Sequence, residues 1–160
     1  MLKIKKPFNF LVVLLVLLSL VSCDPIEYSY DYDVLNSTVS SVYLVRFNDQ
    51  ESKELFEKAE DVKDFDISKA SVMHVLKDDL QSEFLREFSE TKLLRVWRHM
   101  DSPSGMGIII LYNDGAFDVV CYEVQFSCRY DTEGHVKDVI GGGGGTALGA
   151  LVKKYFNFSA

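Results

Sequence analysis

What most constrains the fold of this chain is a change of hydrophobic period at Thr91. Just before it, Leu80, Phe84, Leu85 and Phe88 recur three or four residues apart, so they share one face of a helix. After it come Leu93 to Arg98, Gly107 to Tyr112, Ala116 to Glu123, Gln125 to Tyr130 and His135 to Ile140. These short runs, alternating or wholly apolar, read as strands. Asn113-Asp114-Gly115 is a strong hairpin signal, and Asp131-Thr132-Glu133-Gly134 makes another turn. Strands joined by such short connections run antiparallel, because a parallel pair needs a crossover of a dozen residues or more.

The first half adds one further strand and the helices. Val39 to Phe47 is rich in β-branched and aromatic residues and predicts a first strand. Asn48-Asp49 then offers a cap to a helix over residues 50–60, with Leu55, Phe56 and Ala59 at helical spacing. Asp78 or Asp79 can cap a second helix that runs to about Thr91, and Val72 to Leu76 before it suits either a short strand or an extension of that helix. Helices followed by a run of strands predict an α+β fold. The expectation is one small domain over residues 37–140, an antiparallel meander of about four to six strands with two helices packed on one face.

The amino terminus has a different character. Lys3, Lys5 and Lys6 precede an apolar run from Phe10 to Val21 that is broken only by Ser19. Such a run falls well short of the roughly 20 residues that a membrane-spanning helix needs, but it has the length of a signal-peptide core. It closes with Leu20-Val21-Ser22-Cys23, which resembles the lipobox of bacterial lipoproteins. The resemblance implies that the Cys23 thiol takes a diacylglycerol, that the chain is cut after Ser22, and that the new amino terminus is acylated. Residues 1–22 are then a cleaved signal, and the expected location is the cell envelope, anchored in a membrane by the lipid on Cys23. Residues 23–36 alternate acids with Tyr28, Tyr30 and Tyr32 after Pro25 and suggest a solvated tether, although the same alternation would suit an edge strand. Residues 141–160 begin with five glycines and suggest a hinge before a short amphipathic segment bearing Leu148, Leu151, Val152 and Tyr155.

Loss of residues 1–22 removes three of the 17 basic residues and none of the 24 acidic ones, leaving a net charge of −10. A surface that acidic is repelled by phosphate backbones, which argues against nucleic acid as a partner. Membrane attachment is then the work of the acyl chains rather than of a basic patch.

Little in the remaining sequence carries chemistry. Cys121 and Cys128 could form a disulfide across a tight turn at Val124-Gln125, or remain two buried thiols. Gly142, Gly144 and Ala147 fit G-x-G-x-x-A by letter, but no second strand can follow to make a dinucleotide site, so no cofactor is expected. His74, His99 and His135 fall in different elements without metal-ligand spacing, so no metal is expected either. Cys128 with His135 is the one nucleophile and base pair that a hairpin could bring together. Arg95 to His99 is the only local basic cluster, and Arg95 with Trp97 marks either a partner site or a core tryptophan among snorkelling arginines. The sequence thus predicts a lipid-anchored envelope protein with a non-enzymatic binding domain for a protein or an envelope component. An immunity- or inhibitor-type lipoprotein is the alternative, and a small envelope hydrolase ranks behind both.

Overall fold

A computed structural model describes residues 26–47, 64–67, 70–95, 105–122, 126–141 and 145–156. The strands are β1 (Ile26–Tyr28), β2 (Val39–Phe47), β3 (Ser71–Val75), β4 (Leu93–Arg95), β5 (Gly105–Tyr112), β6 (Phe117–Cys121), β7 (Phe126–Tyr130) and β8 (Val136–Gly141). The helices are α1 (Tyr32–Thr38), α2 (Asp78–Ser89) and α3 (Gly145–Phe156). Six strands form one antiparallel sheet in the order β3-β2-β5-β6-β7-β8, and β1 pairs with β4 in a separate two-stranded ribbon. The fold is α+β, with the expected antiparallel meander in β5 to β8.

Alternation along the central strands divides the core between the two sheet faces. Val42, Leu44, Ile108, Ile110 and Val120 meet Phe84, Leu85 and Phe88 of α2 and Leu148, Val152, Tyr155 and Phe156 of α3. On the opposite face Val45, Ile109, Phe117, Val119 and Tyr130 close under Phe65. Central strands covered on both sides lose the polar/apolar alternation of a half-exposed sheet. This is why Met106 to Ile110 and Phe117 to Cys121 are continuously buried.

Both hairpin turns follow their sequence chemistry. Gly115 (φ 87°) donates to the Tyr112 carbonyl, and the Asp114 side chain accepts from the Ala116 amide. Gly134 (φ 86°) has a further duty, because Phe65 donates its amide to the Gly134 carbonyl at 2.8 Å. A Cβ on Gly134 would overlap the Phe65 carbonyl oxygen, so only glycine lets this turn seat the aromatic plug of the second face.

Several expectations need correction. Residues 26–36 are not a solvated tether: β1 and α1 are built from them, and Tyr30 and Leu35 are buried in the helix-bearing core. Residues 141 and 145 onward belong to the domain, since Gly141 ends β8 and α3 buries Leu148, Leu151, Val152 and Tyr155. The short amphipathic segment expected near the carboxyl terminus is α3, and α1 is a helix that was not expected. Lys77, not Asp78 or Asp79, is the N-cap of α2, and the two aspartates fall in its first turn, where their charge favours the helix dipole. Leu80, assigned to the apolar stripe, is exposed. Val72 to Val75 form the edge strand β3 and not a helical extension. Cys121 and Cys128 are not joined. The β6–β7 loop is longer than two residues, so Cys121 lies opposite Phe126 and Cys128 opposite Val119. The helix expected over residues 50–60 lies outside the described residues.

Candidate functional site

The most unusual side chain in the sheet is Asp118, in the middle of an otherwise apolar strand and wholly inaccessible to solvent. A buried carboxylate is costly unless it is paired and hydrogen-bonded, and this one is saturated. The β6–β7 register sets Arg129 directly opposite it. Arg129 Nε donates to Oδ1 at 2.7 Å and Nη2 to Oδ2 at 2.7 Å, the bidentate fork that matches a carboxylate best. Tyr112, at the end of β5, donates its hydroxyl to Oδ2 at 2.7 Å, accepts from Arg129 Nη2 at 2.9 Å, and lies with its ring beneath the guanidinium. Tyr30, between β1 and α1, donates to the same Oδ2 at 2.9 Å.

Above this network lies a cleft of about 540 Å³, lined by Tyr28, Tyr30, Asp31, Tyr112, Arg129 and Lys137 among others. That volume is in the range of small-molecule and peptide-end sites. One wall is the start of α1, where Asp31 accepts from the Val34 amide as the helix cap. Another is the 113–116 turn, held to α1 by Asn113, which donates from its amide to the Thr38 carbonyl and from its side chain to the Ser37 carbonyl. Arg129 keeps 34% of its side chain open to solvent while its partner keeps none. The guanidinium therefore presents one edge to the cleft and is fixed along the other.

The three donors of the floor keep their protons at neutral pH. Burial, and the Asp118 carboxylate beside them, push the Tyr30 and Tyr112 phenols well above their usual range. The hydrogen bonds to Asp118 hold Arg129 more firmly protonated than usual, against the cost of its burial. General acid–base catalysis wants a group that titrates near the working pH, and these three donors do not. The arrangement suits recognition: rigid donors, two aromatic faces and a cation on a preorganised floor.

The residues singled out from sequence are scattered. Cys23 and Trp97 lie outside the described residues, and Arg95 ends β4, paired with Ile26. Cys121 and Cys128 are buried under the other face of the sheet. Burial pushes the Cys128 thiol up to about 12, and its Sγ points at the Asp138 carbonyl at 3.3 Å, so thiolate chemistry is disfavoured there. His135 is exposed among Asp64, Asp131 and Glu133 at 3.5–3.6 Å, not paired with that thiol. Among the described residues, no His, Cys, Asp and Glu side chains gather in a metal-holding group, and no helix is long and apolar enough to cross a membrane.

Sequence reasoning missed Asp118, Arg129, Tyr30 and Tyr112. One signal was available: an acid inside Phe117-Asp118-Val119-Val120 and an arginine inside Ser127-Cys128-Arg129-Tyr130, which a four-residue loop at 122–125 places opposite each other. Comparison of the chain with protein-family models, with curated proteins and with solved structures finds no match.

Proposed function

We propose that this chain is a lipid-anchored cell-envelope protein whose domain is a binding module, and that the Tyr28–Tyr112–Arg129 cleft is its binding site. The anchor rests on the Leu20-Val21-Ser22-Cys23 signal. The binding role is carried by one observation, the fully buried Asp118 that fixes a partly open Arg129 on the floor of a cleft. A preorganised donor loses little entropy when a ligand arrives. The tyrosine rings add apolar area with hydroxyl handles, and the Arg129 and Lys137 charges sit among the Asp31 and Asp114 carboxylates. Such a lining fits a polar, hydrogen-bonding segment of a protein or envelope component. An immunity- or inhibitor-type role is a special case of this reading, in which the occupant belongs to a toxin or an enzyme.

Two measurements test it. Cells fed labelled palmitate should label the natural chain and not its Cys23→Ser variant; equal labelling of both sinks the anchor. A photoreactive phenylalanine at Tyr28 should capture an envelope component that the same group at Lys153, on the exposed face of α3, does not. Capture that is identical at both positions, or unchanged by Arg129→Ala, rules out the cleft.

A further inference from the structure

Tyr28 is the last residue of a strand that starts three residues after Cys23, and this leaves almost no leash. Fully extended, the three residues from Cys23 to Ile26 span at most about 11 Å. The headgroup layer is itself on the order of 5–8 Å deep on each side, so Ile26 cannot lie far from the lipid that holds Cys23. The ribbon beginning there is fixed to the body of the domain. Ile26, Glu27 and Tyr28 pair with Arg95, Leu94 and Leu93, and Glu27 forms an ion pair with Lys92. Leu93 is fully buried, Tyr28 packs edge-on against Tyr30, and Tyr30 is bonded to Asp118. A short leash on a fixed ribbon determines which part of the domain meets the bilayer.

We propose that the end of the β1–β4 ribbon, where Ile26 faces Arg95, is a membrane-contacting surface, and that its partner is the phospholipid bilayer that holds Cys23. The inference rests on the lipid-anchor reading above. The domain then sits on the headgroups instead of standing off on a stalk. β4 contacts β8 at one edge of the six-stranded sheet. β3, at the other edge, is five strand spacings away, about 24 Å, and faces away from the lipid. The cleft lies at the near end: Tyr28, on its wall, is five residues from Cys23 and so within about 18 Å of the anchor. An occupant must therefore be reachable at the membrane surface.

The test uses full-length, lipidated protein in vesicles of three parts phosphatidylethanolamine to one part phosphatidylglycerol, doped with a nickel-chelating lipid. A nitroxide is attached at Glu27→Cys or at Ser71→Cys; both sites are exposed, Cys23 is consumed by lipid, and the buried thiols are shielded. Power saturation should show strong collision with headgroup nickel at position 27, several-fold weaker collision at position 71, and loss of the contrast when a 15-residue Gly/Ser spacer follows Pro25. Lipidated protein with equal collision at both sites, or more at position 71, overturns the orientation and leaves the anchor standing. Protein that carries no lipid at Cys23 overturns both.

Discussion

Asp118→Asn isolates what the buried ion pair contributes, because it changes charge and one donor without changing shape. The carboxylate accepts four bonds: Arg129 Nε at Oδ1, and Arg129 Nη2, Tyr30 and Tyr112 at Oδ2. If the new amide oxygen takes the Oδ2 position, three acceptor contacts survive in weaker, neutral form and the amide nitrogen faces Nε–H, donor against donor. The reverse orientation is worse, since it sets the amide nitrogen against three donors. Removing one partner of a fully buried pair costs about 3–5 kcal/mol, but Arg129 is one-third solvated and water can relieve part of its lost pairing. The expected loss is about 2–3 kcal/mol. At a urea slope of about 1.5 kcal/mol/M this lowers the unfolding midpoint by roughly 1.3–2 M. The assay is urea unfolding of residues 23–160 carrying Ser at position 23, followed by fluorescence, with Arg129→Gln and the double variant completing a cycle. The double variant should lose little more than Asp118→Asn alone, a coupling above about 1.5 kcal/mol. A single-variant loss below about 1 kcal/mol, with additive effects, would refute the claim that the carboxylate holds the guanidinium in place.

Gly134→Ala should cost about 2–3 kcal/mol in the same assay, from a positive-φ penalty plus displacement of the Phe65 carbonyl. Gly115→Ala, which meets only the Thr132 side chain, should cost about 1 kcal/mol. Tyr28, Tyr30, Tyr112, Tyr130 and Tyr155 have raised phenol pKa values, with burial the leading cause in each. Their stabilising effect is complete below the ordinary tyrosine range and is lost as pH climbs above it. Absorbance at 295 nm should therefore show the Tyr30, Tyr112 and Tyr130 phenolates appearing together with unfolding, and titration of all eight tyrosines in the native state would contradict the burial of these three. Cys121 and Cys128 should both resist a thiol reagent in the native protein and both react in urea, with the same count in the presence of reductant; a disulfide would leave none to react without it.

Elements with a local period could be read from the sequence. Val39–Phe47 is a strand over the expected span, the Asn113-Asp114-Gly115 turn forms, and Phe84, Leu85 and Phe88 bury one face of α2. What failed depended on contacts distant in sequence. Tyr30 is buried because Asp118, 88 residues on, offers it an acceptor, and β1 exists because β4 pairs with it; the alternation in residues 24–36 admits an edge strand but names neither partner. Leu80 kept the helical period but fell in the first turn of α2, where it is exposed. The cysteine register turned on loop length: two residues would have set Cys121 against Cys128, and the observed register sets it against Phe126. The cleft was the least legible part, because its four floor residues come from four separated segments whose proximity is itself the fold.

That dependence assigns a role to the Tyr30 hydroxyl. A buried phenylalanine at position 30 would gain almost the same apolar contact with Phe88, whose ring lies 4.9 Å away, but it would tolerate sliding along the sheet. A hydroxyl that must find Asp118 Oδ2 does not. Tyr30→Phe should thus leave the sheet intact and loosen residues 26–38, which form one side of the cleft. It removes one of three donors at Oδ2 and leaves the carboxylate doubly bonded to Arg129, so the global cost is about 1 kcal/mol. Hydrogen exchange separates the two effects. Amides in α1, including that of Leu35, should lose about tenfold in protection, equivalent to about 1.4 kcal/mol of local opening, while those of β5 to β7 change no more than the global loss requires. Equal loss throughout would mean that residues 26–38 unfold only with the sheet, and that their attachment does not depend on this hydroxyl.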